Sequence, residues 1–305
     1  MQKITPFLWF DDQAEEAVNF YVSAFSTVGD KNSKIGNAVR YDEAGTKASG
    51  RPKGSVMTLP FRLGGLDFVA LNGGPIFKFT PAISFFVNCR TADEVQQLWD
   101  RLFDGGTALM PLDKYDFSDK YGWLQDKYGL SWQVILPREQ IVQKLVPSLM
   151  FVGDVCGQAE EAINFYSSIF NDSKMGTIFR YGAGREPDNE NNIAYADFVL
   201  EGQYFAIMES AREHDFGFNE AISFMVNCQS QEEVDHYWNK LTAVPEAEQC
   251  GWLKDKYGVS WQIVPAALGK LMNDPDPAKS LRVTQAMLKM KKIEIADLKK
   301  AYEQE

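Results

Sequence analysis

Apolar positions along the chain switch between a two-residue and a 3.6-residue period, and the switches predict an ordered series of strands and helices. Residues 3–10, KITPFLWF, read as a first strand. Ala14, Ala17, Val18, Tyr21 and Phe25 then fall on one helical face, and Asp12 with Glu15 supplies a capping box at its start. Residues 34–41, 55–63 and 66–72 alternate as strands, the last two joined by a Gly64-Gly65 hairpin signal. The strand AISFFVNC follows at 82–89, and then a helix capped by Thr91 with Glu94 buries Val95, Leu98, Trp99 and Leu102. Gly122-Trp123 marks a turn into the last hairpin, and two or three strands ending in SWQVIL close the series.

The series then returns in the same order. AEEAVNFYVSAF at 14–25 matches AEEAINFYSSIF at 159–170, AISFFVNC matches AISFMVNC at 221–228, and GWLQDKYGLSWQV at 122–134 matches GWLKDKYGVSWQI at 251–263. Because the offset between matched blocks shrinks from 145 to 129 residues, the chain is a diverged duplication with altered loops. The later strands fall at 144–151, 174–181, 193–200 and 203–209, and the later helix, capped by Ser230 with Glu233, buries Val234, Tyr237, Trp238 and Leu241. Each half therefore reads as βαβββ twice, which gives an α+β fold of four modules through about residue 265. Each module predicts a curved, mostly antiparallel sheet with a helix on one face and the other face free to line a cleft. The domains are expected at 1–140 and 145–265, with a helical tail at 266–305. In that tail Leu281, Met287, Leu288, Ile293, Ile295 and Leu298 offer apolar surface for two short helices, which either wrap the chain's own domains or dock a partner.

Composition narrows the function classes. A net charge of −11 argues against a nucleic-acid partner, since phosphate neutralisation needs surplus cations, and the basic run Lys289, Lys291 and Lys292 reads as a solvated helix end. No signal peptide and no run of 18 apolar residues is visible, so the expected address is cytoplasmic, without membrane contact. Cys89, Cys156, Cys228 and Cys250 lack CxxC spacing and read as reduced thiols, with no neighbouring base to activate Cys89 or Cys228.

Three motifs in the same order, twice, carry a family resemblance: ITPFLWF with AEEAVNFY, the AISFFVNC strand, and DKYGxSWQ at 126–133 and 255–262. The chain resembles the PhnB-like branch of the vicinal oxygen chelate superfamily, which includes glyoxalases and bleomycin-resistance proteins. The resemblance covers nearly the whole chain and implies tandem glyoxalase/bleomycin-resistance-like domains. Single-domain members of that branch dimerise to pair their modules, so the duplication implies an intramolecular pseudo-dimer and a monomer in solution. The branch often carries the label 3-demethylubiquinone-9 3-methyltransferase. Methyl transfer is not expected here, because Gly64-Gly65 and Gly73-Gly74 flank hairpin strands instead of forming a nucleotide turn between a parallel strand and a helix.

Metal-dependent members of the superfamily hold a divalent ion with His and Glu from the first and last strands of paired modules. The corresponding positions here are Thr5 to Phe7, Val146 to Ser148, Ala82 to Ser84 and Ala221 to Ser223, none of them His, and the last-strand Glu becomes Gln133 and Gln262. A neutral amide lacks the charge that favours a bound cation and cannot act as a general base. His214 and His236 show no ligand spacing and read as solvent-facing. Strand alternation places Phe7, Trp9, Ser84, Phe86 and Asn88 on the open face, with counterparts Ser223 and Asn227, and with Gln133 and Gln262 at the far edge. For the aromatics, plain core packing competes with ligand contact. Glu209, at the end of the fourth strand of the second half, is the one carboxylate near a metal-ligand position, and its counterpart is Asn72.

The expected function is metal-independent small-molecule binding, with no cofactor and an unidentified ligand. The alternative is a metal-dependent lyase, isomerase or dioxygenase working through Glu209.

Overall fold

Strand pairing in the computed structural model, which describes residues 2–304, crosses the boundary between the two repeats. The first module comprises β1 (Ile4–Phe10), α1 (Ala14–Thr27), β2 (Lys34–Ile35), β3 (Val39–Arg40), α2 (Glu43–Ser49), β4 (Val56–Leu63) and β5 (Leu66–Asn72). The second comprises β6 (Ile83–Asn88), α3 (Ala92–Leu102), β7 (Thr107–Tyr115), β8 (Ser118–Gln125) and β9 (Ser131–Ile135). In the third are β10 (Leu145–Val152), α4 (Ala159–Ile169), β11 (Lys174–Arg180), β12 (Ile193–Leu200) and β13 (Gln203–Ser210). The fourth holds β14 (Ile222–Cys228), α5 (Gln231–Leu241), β15 (Trp252–Lys254) and β16 (Ser260–Pro265).

Two eight-stranded sheets result. One runs β15-β16-β14-β1-β5-β4-β2 with β3 also on β4, and the other runs β11-β12-β13-β10-β6-β9-β8-β7. Inside each module the first strand lies parallel to the last, as β1 does to β5 and β6 to β9. The seams are antiparallel: Phe7 sits opposite Ser223 where β1 meets β14, and Ser148 opposite Ser84 where β10 meets β6. Modules one and four thus share sheet A, and modules two and three share sheet B. Neither repeat closes a sheet alone.

Helices cover one face of each sheet. Ile4, Leu8 and Phe10 of β1 and Phe224 and Val226 of β14 join the common core with Ala17, Val18, Tyr21 and Phe25 of α1, while the alternate residues face away. The DKYGxSW motif proves to be a turn that anchors this core. Asp126 accepts the N–H groups of Tyr128 and Leu130 at 2.8 and 3.1 Å and the indole N–H of Trp132 at 2.8 Å. Asp255 repeats the pattern with Tyr257, Val259 and Trp261, and also accepts the hydroxyl of Tyr166 at 2.8 Å. Gly129 and Gly258 take φ of 86° and 87°, which explains the glycine in each copy.

Several local expectations need correction. Asp12 does not cap α1: its first N–H, from Ala14, donates to Oδ1 of Asn72 across the sheet at 2.8 Å. The Thr91 and Ser230 caps do form, with the N–H groups of Glu94 and Glu233 at 3.1 and 3.3 Å. The 34–41 strand is broken into two short pieces, and the unforeseen helix α2 follows, capped by Asp42. Gly122 lies inside β8, where an added Cβ would come within 2.3 Å of the Trp99 ring, so it serves close packing and no turn.

The fourth module lacks a counterpart of β7, and the tail occupies that flank. Three helices form there instead of two: α6 (Ala266–Met272), α7 (Pro277–Met287) and α8 (Ile295–Glu303). They bury Leu268, Val283, Ile293 and Leu298 against Val264 of β16, and α7 packs on α2. Cys250 and Gly251 donate their N–H groups to Met290 and Lys291 carbonyls, both at 2.8 Å. The tail packs on its own chain.

Candidate clefts on the helix-free faces

The helix-free face of each sheet is floored by an amide and a serine held together. In sheet A, Nε2 of Gln262 donates to Oγ of Ser223 at 2.9 Å; in sheet B, Nε2 of Gln133 donates to Oγ of Ser84 at 2.8 Å. The Tyr121 hydroxyl donates to Oε1 of Gln133 at 2.6 Å, and burial pushes that phenol's pKa up, so it stays a donor. All four amide and serine residues are buried. Parallel pairing of the first and last strands creates this arrangement, because it brings Gln262 and Ser223 to neighbouring positions on one face.

Around this common floor the two clefts have diverged. Sheet A carries Phe7 and Trp9 where sheet B carries Ser148 and Met150. Phe7 and Trp9 meet Trp252 edge-on at 5.8 and 6.1 Å, and Trp9 also meets Phe77 at 5.0 Å. The indole N–H of Trp9 donates to the Gly74 carbonyl at 2.8 Å, and a Cβ on Gly73 would come within 2.2 Å of the ring. Trp9 is thereby fixed as a plug over part of cleft A. Beside the plug a trough of about 330 Å³ crosses β14, β1, β5 and β4, lined by Thr5, Pro60, Arg62, Val69, Met225 and Asn227. Cleft B is more aromatic: Phe86 and Tyr121 are buried among Tyr115, Trp123, Tyr195 and Tyr204, with Phe117 and Phe179 more than half exposed.

Of the residues singled out from the sequence, Phe7, Trp9, Ser223, Asn227 and Gln262 come together in cleft A, and Ser84, Phe86, Asn88 and Gln133 in cleft B. Asn88 and Asn227 also staple strand ends, their amides donating to the carbonyls of Gln143 and Gln2 at 2.8 and 2.9 Å. Glu209 is the exception. It shares the helix face of the sheet with Phe151, where Oε1 accepts the first N–H of α4, from Ala159, at 3.0 Å and Oε2 accepts the N–H of Ile193 at 2.6 Å. The expectation that it borders the cleft fails, because it repeats the role of Asn72: capping a helix from across the sheet. Tyr121 and Arg62 were missed from the sequence, because placing them needed the register, whereas Ser148, one of the first-strand positions weighed there, lies on the open face opposite Ser84.

A chelated metal does not fit these clefts. Their floors offer amide and hydroxyl groups already bonded to one another, and among the described residues no three His, Cys, Asp or Glu side chains group closely enough to hold an ion. His214 is half-buried, whereas His236 is exposed, its Nε2 lying 2.9 Å from the Ile169 carbonyl. Burial pushes the Cys89 and Cys228 thiols up to about 12, leaving them neutral. No described helix is long and apolar enough to cross a membrane.

The paired sheets and their amide-floored clefts define a tandem α+β protein of the vicinal oxygen chelate, or glyoxalase-like, fold. A maize glyoxalase I variant is similar over 86% of this chain and 94% of its own, at 12% identity and a TM-score of 0.50, a likeness of fold alone. The chain belongs to the 3-demethylubiquinone-9 3-methyltransferase family, whose pattern it matches twice, over residues 2–135 and 143–264. A PhnB protein from Bacillus cereus is 44% identical over 44% of this chain and 99% of its own, with a TM-score of 0.39. A Pseudomonas aeruginosa protein is 21% identical over 46% of this chain and all of its own, at a TM-score of 0.37. No curated protein matches the chain.

Proposed function

We propose that the protein binds a small organic molecule on the helix-free face without a metal ion. One observation carries this: where a chelating carboxylate would have to stand, each cleft holds a neutral glutamine whose amide is committed to serine. Such a floor orients a ligand through hydrogen bonds, and the surrounding aromatic rings supply contact area. Methyl transfer gains no support from the glycine pairs, since Gly64-Gly65 joins the antiparallel strands β4 and β5. The carboxylate that a metal-dependent enzyme would use, Glu209, is committed to the start of α4.

A thermal-shift and calorimetric screen of aromatic acids, amides and quinones, run with and without EDTA, tests this. Binding unchanged by EDTA and weakened by Gln133→Ala or Gln262→Ala is expected. A stoichiometric divalent ion retained through chelator-free purification would overturn it. We further infer that module pairing is satisfied within one chain, so light scattering should give the mass of one 34.5 kDa chain.

A further inference from the structure

Within the binding reading above, the charged side chains that line the trough of sheet A are unevenly balanced. Lys34 and Arg62 face each other across β2 and β4, and both line the trough. Asp67, directly opposite Arg62 on β5, is the one carboxylate in its lining. Both its oxygens are taken: Nε and Nη2 of Arg62 donate to Oδ1 and Oδ2 at 2.5 and 2.7 Å. That leaves Nη1 of Arg62 and the ammonium of Lys34, which has no ion-pair partner among the described residues. Two cations against one engaged carboxylate make the trough locally positive on a chain of net charge −11. Next to them Pro60, Val69 and Met225 present an apolar wall.

The duplication supplies an internal control. At the matching positions of cleft B, Arg62 is replaced by Val199, Asp67 by Tyr204 and Pro60 by Asp197. Burial holds the Asp197 carboxyl above its usual range, and it lies against β11, accepting the N–H of Thr177 at 3.2 Å. The lysine is common to both, Lys174 standing opposite Val199 as Lys34 stands opposite Arg62, so cleft A differs by adding a guanidinium to that lysine and by having Pro60 where cleft B carries a carboxylate.

We propose that the sheet A trough binds a small amphiphilic carboxylate. Its carboxylate group meets Nη1 of Arg62 and Nζ of Lys34, and its apolar body lies on Pro60, Val69 and Met225 toward the Phe7 and Trp9 plug. At about 330 Å³ the trough is at the small end of ligand pockets, which suits a single-ring acid.

Calorimetry on the full chain with trans-cinnamate and its neutral analogue trans-cinnamamide tests this. Cinnamate should bind at least about tenfold more tightly, the effect of one charge-assisted hydrogen bond. Arg62→Val, which installs the cleft B residue, and Lys34→Met, at an exposed position, should each reduce that preference, while Lys174→Met, the same change at the exposed counterpart in cleft B, should leave it unchanged. Circular dichroism of each variant verifies folding. Equal binding of acid and amide, or a preference that survives both substitutions, overturns the proposal and leaves small-molecule binding standing. Failure of both compounds, with neutral members of the screen still bound, also overturns it. If nothing in the screen binds, the broader binding reading falls as well.

Discussion

Replacing Glu209 by Gln separates a structural carboxylate from a functional one. The side chain is 2% exposed and accepts two backbone N–H groups, from Ala159 and Ile193. A glutamine has the same length, and its Oε1 can keep the Ala159 bond, but its Nε2 then confronts the Ile193 N–H, donor against donor. The loss includes one hydrogen bond to a charged acceptor, about 1.5–3 kcal/mol, with the Ile193 donor left buried and unpaired. Removing a negative charge from the N-terminus of α4 adds about 0.3–1 kcal/mol. Urea unfolding should therefore show a loss of about 2–4 kcal/mol from these terms. Ligand affinity measured on the folded variant should stay within twofold of wild type, about the scatter expected of a distant site. A variant as stable as wild type that no longer binds ligand would refute the assignment and return Glu209 to the site.

Other substitutions probe the remaining contacts. Burial outweighs four donated hydrogen bonds and raises the Asp255 carboxyl from 3.8 to about 6, so its contribution is fully present below about pH 4 and is lost as pH rises to about 6. Relative to Asp255→Asn, wild type should lose about 1.4 kcal/mol per pH unit over that window, about 3 kcal/mol in all, and nothing more above it; a flat difference in urea titrations at pH 4, 5, 6 and 7 would contradict this. Gly73→Ala should cost about 1–3 kcal/mol by overpacking and shift tryptophan emission as the Trp9 ring is displaced. An unchanged spectrum would show that Trp9 is not held there. Truncation after Gly269 removes Val283, Ile293 and Leu298 from their cluster and bares Val264 and Leu268, so the melting temperature should fall by several degrees. A partner-docking tail would leave the melt as it was.

Much of this architecture is legible in the residues. The repeated blocks, the apolar stripes of α1, α3, α4 and α5, and the amides on the last strands depend on short-range periodicity, which survives without any knowledge of partners. The Thr91 and Ser230 caps are equally local, because donor and acceptor lie three residues apart. Long-range pairing carries no such signal. Nothing in β1 specifies that β14, over 200 residues away, completes its sheet, and nothing near Asp12 reveals that Asn72 will cap α1. Sequence therefore determined the modules and which side chains face away from the helices. Only the folded chain decided that Glu209 points into the helix layer and that Arg62, Lys34 and Asp67 meet at one end of a trough, since non-local register sets both.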